Sequence, residues 1–160
     1  IRYPRGRGRG VPLADVPAPA TAPWIETILE GDDVLILAAG TGVALAEVAA
    51  AALGDLGVSA TVANVRRVRP LDKGELAPLL EGHRAVVTVE ENTIVGGLGS
   101  GVGEAMLRTG ILRPLRLVGL PDAFVTHGDI ASLHGSVGYT ALSVRDSALE
   151  ALERAGVGLA

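Results

Sequence analysis

The sequence has no cysteine among its 160 residues. Disulfides, thiolate metal sites and cysteine nucleophiles are therefore excluded. Aromatic residues are almost as scarce, with one Phe, one Trp and two Tyr. Hydrophobic residues still make up 48% of the chain, so a core must be built from Ala, Val and Leu. Small side chains of this kind favour closely packed α/β layers. No apolar run reaches the roughly 18 residues of a membrane-spanning helix, and no membrane partner is expected. The three histidines, His83, His127 and His134, lack the spacing of a metal motif. An excess of positive charge is missing too. The formal net charge of −4 argues against a nucleic-acid partner. No signal-like segment opens the chain, so a cytoplasmic location is expected. The first residue is Ile1 rather than Met. The chain accordingly reads as a piece of a longer protein, with chemistry that other domains can hold.

What is present reads as a short arm followed by one domain. Residues 1–23 form a linker or N-terminal arm from a preceding domain. The stretch opens with Arg2, Arg5, Arg7 and Arg9 between glycines and continues through Pro12, Pro17, Pro19 and Pro23, a pattern that forbids regular structure. Its arginines suit either of two roles. A guanidinium can grip a phosphate through paired hydrogen bonds, or the run is a solvated basic tail.

From residue 24 onward the hydrophobic pattern alternates between strand and helix signals. Residues 24–29 read as an edge strand and 33–38 as the first buried strand. A Gly40-Thr41-Gly42 turn leads into an Ala-rich helix over 43–53. A strand over 59–65 follows and ends in Asn64, Arg66 and Arg67. It offers no Asp or Glu for a ribose, so the dinucleotide-binding reading of Gly40-Thr41-Gly42 is not favoured. Asp72 and Glu75 have the spacing of a capping box for a helix that stops at Gly82. His83 is a boundary residue. A strand over 115–118 leads to a short helix capped by Asp129. A last amphipathic helix covers 142–155. Strands alternating with helices imply a three-layer α/β/α sandwich around a mostly parallel sheet.

The most informative stretch is residues 84–104. A buried strand over 85–89 is followed by two carboxylates, Glu90 and Glu91, where the strand should end. Asn92 and a glycine loop, with Gly96, Gly97 and Gly99, then lead to a helix over 102–109. A phosphate cradle is the first idea for such a loop. No register supplies the Gly-x-Gly-x-x-Gly spacing, however, and no Lys follows to make the other common phosphate loop. Both carboxylates would also repel a phosphate. The loop reads instead as an element for packing or for contact between subunits, with Glu90, Glu91, Asn92, Gly96, Gly97 and Gly99 as interface candidates. Elsewhere, Asp122 and His127 could form an acid/base pair, although no nucleophile stands beside them.

Several ordered stretches resemble the C-terminal domain of the thiamine-diphosphate-dependent transketolase superfamily. They are Arg2-Tyr3-Pro4-Arg5-Gly6, Asn64 through Pro70-Leu71-Asp72, Thr88-Val89-Glu90-Glu91-Asn92, Gly96-Gly97-Leu98-Gly99-Ser100, and Gly119-Leu120-Pro121-Asp122 with His127-Gly128. Within the superfamily the closer match is to the 1-deoxy-D-xylulose-5-phosphate synthases. Two departures stand out. Arg67 replaces the family's usual Phe, and Gly138-Tyr139-Thr140 replaces its usual Gly-Leu-Asp. The resemblance implies that residues 24–160 are a transketolase-type C-terminal domain. It implies that the whole enzyme joins pyruvate, after decarboxylation, to glyceraldehyde 3-phosphate. The product feeds isoprenoid precursors and thiamine. Thiamine diphosphate and Mg²⁺ would be held by the preceding thiamine-binding domains of the same chain, and the present fragment would bind no cofactor and have no activity alone. The C-terminal domain would chiefly support a homodimer. Arg5 matches the family's arginine that contacts the substrate phosphate. Two other readings stay open. One is the C-terminal domain of the β chain of a 2-oxo-acid dehydrogenase E1 component, and the other is a non-enzymatic α/β binding module.

Overall fold

The structure is a computed structural model and describes residues 22–157. Strand and helix alternate along the chain as β1 (Ile25–Leu29), β2 (Val34–Ala39), α1 (Gly42–Gly54), β3 (Ala60–Val65), α2 (Lys73–Gly82), β4 (Ala85–Thr93), α3 (Leu98–Thr109), β5 (Leu115–Leu120), α4 (Ile130–Ser136) and α5 (Ala141–Arg154). The five strands form one sheet in the order β1-β3-β2-β4-β5. Strands β3, β2, β4 and β5 run parallel, whereas β1 lies antiparallel on β3 with a register shift between Thr27 and Leu29.

Successive side chains of a strand face opposite sides, and the central strands are apolar on both. Val34, Ile36, Ala38, Val87 and Val89 pack with Ala46, Ala49, Ala50 and Leu53 of α1 and Val144, Ala148, Ala151 and Leu152 of α5. Leu35, Leu37 and Val86 face the other way, onto Leu76 and Leu80 of α2 and Leu98, Val102 and Met106 of α3. A sheet buried on both faces, between two helical layers, is the expected three-layer sandwich.

Two expectations need correction. The strand over 85–89 does not stop before the carboxylates. β4 continues through Glu90 and Glu91 to Thr93, with an irregularity in its pairing with β5 between Val89 and Thr93. The helix after the glycine loop begins at Leu98 rather than residue 102, so Gly99, Ser100 and Gly101 are helical. Both shifts have one cause, the capping described in the next subsection.

The Asp72–Glu75 capping box is half formed. Asp72 Oδ1 accepts from Glu75 N at 3.0 Å. The Glu75 carboxylate turns away from its own helix and accepts from Ile25 N at 2.7 Å and Trp24 N at 3.3 Å. It therefore ties the start of β1 to the start of α2. The Arg67 guanidinium lies 3.8 Å from the centre of the Trp24 ring, a cation–π contact at the same place.

At the opposite end of the sheet His83 does more than mark a boundary. It is buried at the end of α2. Nδ1–H donates to Leu79 O at 2.6 Å, and Nε2 lies 2.8 Å from Thr61 Oγ1 and 3.0 Å from Gly31 O. Thr61 Oγ1 in turn donates to Gly31 O and accepts from Gly31 N. Arg113 Nε donates to His83 O at 2.7 Å. One imidazole thus joins α2, β3 and the β1–β2 turn. A buried polar group left without a partner costs about 1–3 kcal/mol. Replacing His83 by Ala should lower stability by that amount, read as a lower urea midpoint with an unchanged slope. An unchanged midpoint would show that the network contributes nothing.

Candidate functional site

In a parallel sheet each connecting helix starts where its strand ends, so helix N-termini collect at the carboxyl edge. Here β2 leads to β3 on one side, and the chain then crosses to β4 on the other. The resulting crevice between β2 and β4 is the place where open α/β sheets bind ligands. A cavity of about 510 Å³ occupies it, lined in part by Gly40, Thr41, Val68, Arg69, Glu91 and Asn92.

The floor of this crevice is a carboxylate already in use. Glu90 is only 5% exposed. Its Oε2 accepts from Leu98 N at 2.8 Å and its Oε1 from Gly99 N at 3.0 Å. These are two of the four amides that a helix leaves unpaired at its start, and the helix dipole favours negative charge there. Glu90 is therefore a cap supplied from the neighbouring strand. It explains why α3 begins inside a glycine-rich stretch with poor helix propensity. It also explains why β4 extends past Val89, since Glu90 must be held in place to reach the amides.

The glycines make that approach possible. A Cβ at Gly97 would sit 2.2 Å from Glu90 Oε2. A Cβ at Gly99 would sit 1.8 Å from the Leu117 side chain and 2.6 Å from Thr88 Oγ1. Gly96 is fixed by its neighbours, with Ser100 Oγ accepting from Gly96 N and Arg69 donating to Gly96 O, both at 2.9 Å. Ser100 Oγ also donates to Ile94 O at 3.1 Å.

Glu91 points to the other side of β4 and gathers residues from three further segments. It accepts from Thr41 Oγ1 at the start of α1 and lies 3.1 Å from His134 Nε2 of α4. Thr41 Oγ1 is 3.3 Å from Tyr139 Oη. The His134 and Tyr139 rings meet edge to face, with centroids 4.8 Å apart. Burial holds the Tyr139 phenol above its ordinary range, against a lowering by the Thr41 hydrogen bond, and the charges of Glu91 and Glu90 add to the rise.

The structure thus brings Glu90, Glu91, Asn92, Gly96 and Gly97 together around one crevice, while Gly99 is buried behind it. Arg5 lies outside the described residues. Asp122 and His127, which the sequence offered only as a possible acid/base pair, are both exposed, and no hydrogen bond or ion pair joins them. Thr41, His134 and Tyr139 were not anticipated as partners of Glu91. The sequence offered one signal, since Thr41 sits in a strand-to-helix turn that must end at the carboxyl edge.

The amides at the start of α3 that could receive an anion are filled from within, by Glu90. Among the described residues no group of three or more His, Cys, Asp or Glu could hold a metal ion. The edge holds β4 to α3 through Glu90 and β4 to α1 and α4 through Glu91.

Comparison with known proteins gives a consistent result. The family described as transketolase, C-terminal domain, matches residues 25–144. A 1-deoxy-D-xylulose-5-phosphate synthase of Paraburkholderia phymatum is 43% identical over 157 residues, covering 94% of this chain and 24% of the relative. The corresponding synthase of Aquifex aeolicus is 39% identical over 153 residues, covering 96% of this chain and 24% of the relative. The chain therefore spans about a quarter of the length of these curated relatives. Among solved structures, a split-gene transketolase described as an inactive β4 tetramer matches with a TM-score of 0.74 and 34% identity, over 81% of this chain and 41% of that one. A transketolase of Pichia stipitis in complex with a fructose phosphate shares the fold, with a TM-score of 0.64 and 18% identity over 82% of this chain and 18% of that one.

Two outcomes follow from this geometry. Glu90→Gln keeps the shape but turns an amide N–H toward a backbone N–H and removes the charge. Hydrogen bonds to a charged group contribute about 1.5–3 kcal/mol, so the variant should lose about that much stability. The first turn of α3 should also exchange its amide hydrogens faster, and unchanged exchange at Leu98 and Gly99 would refute the cap. The second outcome concerns pH. A raised phenol pKa means that the folded state favours the neutral form. The stabilisation is fully present below the unfolded tyrosine value near 10.0 and is lost as pH rises through the folded one. In a Tyr3→Phe background, tyrosinate absorbance should rise at higher pH in the folded chain than in denaturant. Coincident midpoints would contradict the assignment.

Proposed function

Because the chain belongs to the transketolase C-terminal domain family, we propose that it is the C-terminal domain of a 1-deoxy-D-xylulose-5-phosphate synthase. The observation that carries this reading is its 43% and 39% identity to two such synthases across almost its whole length. The parent enzyme would decarboxylate pyruvate and join the two-carbon unit to glyceraldehyde 3-phosphate. It would work in the cytoplasm as a homodimer. Residues 1–23 would be the arm that joins this domain, residues 24–160, to the preceding ones.

Thiamine diphosphate and Mg²⁺ are the cofactors of such an enzyme. The described residues do not fit them. No metal-holding group converges among those residues, and the amides of α3 that would receive a phosphate are taken by Glu90. We therefore assign the cofactor to the preceding domains and no catalytic step to this one. Its own contribution is structural, with Glu91, Asn92, Gly96 and Gly97 at the crevice meeting a neighbouring domain or a second protomer, above the internal Glu90 and Gly99. Alone it would have no thiamine-dependent activity.

Arg5 is the one residue to which we assign a substrate contact, with the phosphate of glyceraldehyde 3-phosphate. A guanidinium and a phosphate dianion match in charge and geometry. In the full-length enzyme, Arg5→Ala should weaken use of the aldehyde phosphate by about one to two orders of magnitude in kcat/KM, as expected for losing one charged hydrogen bond. Use of pyruvate, which has no phosphate, should change little. Steady-state kinetics with each substrate varied in turn would decide it. Unchanged kcat and KM for glyceraldehyde 3-phosphate would return Arg5 to the status of a linker charge.

A further inference from the structure

Helix α4 has little to hold it on the domain. None of its seven residues is buried. A second cavity, of about 210 Å³, lies against it and is lined in part by Leu120, Ile130, Leu133 and Val137. Side chains that border a void lose the dispersion contacts they would make there, and a helix this short does not persist in water by itself. Its own cap contributes, since Asp129 Oδ1 accepts from Ser132 N at 3.0 Å. Attachment to the rest of the domain is a different matter. Among the described residues, the one side-chain hydrogen bond from α4 to another element is that of His134, whose Nε2 lies 3.1 Å from Glu91 Oε1 of β4. The same ring meets Tyr139 edge to face.

Glu91 is placed so that this one contact can be undone alone. Its other oxygen, Oε2, accepts from Thr41 Oγ1, which keeps β4 tied to α1 whether or not His134 is engaged. Glu91 also lines both the crevice and the cavity beside α4, so the pair stands on the partition between them. The other charges near the pair are fixed or already matched. Glu90, the next residue on β4, accepts from the amides of α3. The Tyr139 phenol, raised by burial, is neutral well past neutral pH. The segment around α4, residues 119–138, holds Asp122, His127 and Asp129 but no Lys or Arg. Hydrogen bonds from Ser132 lower the Asp129 carboxyl and keep it ionised. Arg69 on the crevice donates to Gly96 O, Arg116 of β5 pairs with Glu150, and Arg145 of α5 pairs with Asp146. Imidazole is the side chain whose charge ordinarily changes between about pH 5 and 8. Of the two imidazoles here, His127 is exposed and His134 touches Glu91.

We propose that α4 is a proton-controlled flap, closed on Glu91 while His134 carries its second proton and released when that proton is lost, which opens the partition between the crevice and the cavity beside it. The charges fix the sign. A charged imidazole and a carboxylate hydrogen-bond more strongly than a neutral imidazole and a carboxylate. Closure is therefore strongest below the pH at which His134 gives up its proton and weakens as pH rises through it. The pair is partly open to water, with side-chain exposures of 25% at His134 and 36% at Glu91, so the control is graded, about two- to fivefold in the opening equilibrium. The device belongs to this domain and does not depend on the reaction of the parent enzyme.

Amide hydrogen exchange followed by NMR tests it on this chain. The reporters are Leu133 N, bonded to Asp129 O, and Val137 N, bonded to Leu133 O. Protection factors remove the intrinsic pH dependence of exchange. They should fall about two- to fivefold at both amides between about pH 5 and 8, with the midpoint of the His134 ring resonances. In His134→Gln they should stay at the high-pH level throughout. His127→Gln should keep the dependence of the unaltered chain. If His134→Gln leaves α4 unprotected at every pH, His134→Lys replaces it, and its permanent charge should hold both amides protected without the fall. Equal protection across the range in the unaltered chain would overturn the proposal. So would a fall that survives in His134→Gln or His134→Lys, or one that His127→Gln abolishes.

Discussion

The carboxyl edge of this domain depends on one carboxylate reaching two amides. Glu90 leaves β4 and satisfies the start of α3, and much of the surrounding sequence is a consequence. The amides need a negative group, because a helix begins with unpaired donors and a partial positive charge. The carboxylate needs the amides, because a buried charge without partners is strongly destabilising. Gly97 and Gly99 have no side chain because the carboxylate, Leu117 and Thr88 occupy the space where one would be. The loop that resembles a phosphate cradle is one in form, with the anion built into the chain. Glu91, the next residue, faces the other way by the alternation of a strand. It uses the same edge to hold α1 and α4 through Thr41 and His134.

Most of the fold could be read from the sequence, because its signals are local. Apolar β-branched runs gave the strands, Asp72 and Asp129 stand as N-caps for α2 and α4, and β1 is the edge strand that its position suggested. Where the reading failed, the deciding partner was distant in sequence. α3 starts four residues earlier than expected because its cap comes from the preceding strand and not from the loop. Glu75 completes only half of its capping box because Trp24 and Ile25, about fifty residues away, compete for its carboxylate. His83 looked like punctuation because none of the local pattern reveals that Gly31 and Thr61 converge on it. The candidate site was legible as a stretch, residues 90–99, but not as a network. Tyr139 and His134 are brought to Glu91 by the return of the chain after β5, which no spacing rule anticipates.

The two ends of the sheet are finished differently. At the amino end His83 and Arg113 bind backbone carbonyls from neighbouring segments, and the polar groups there satisfy one another. At the carboxyl end Glu90 and Glu91 are hydrogen-bonded, while the layer outside them carries an open crevice, the exposed Phe124 ring and a helix without buried residues.

The helices α1 and α5 meet the sheet largely through alanines, at positions 46, 49, 50, 148 and 151. Core substitutions in most proteins do harm by removing atoms and leaving cavities. At these five positions there is almost nothing to remove, since truncating Ala gives Gly and costs only the helix propensity of about 1 kcal/mol. Harm comes from the opposite direction, because each added methylene must push a helix off the sheet and an overpacked core loses about 1–3 kcal/mol. Drift along this seam is therefore one-sided. Its lineage can exchange alanine for something smaller at modest cost, but it cannot enlarge one helix without making room on the other.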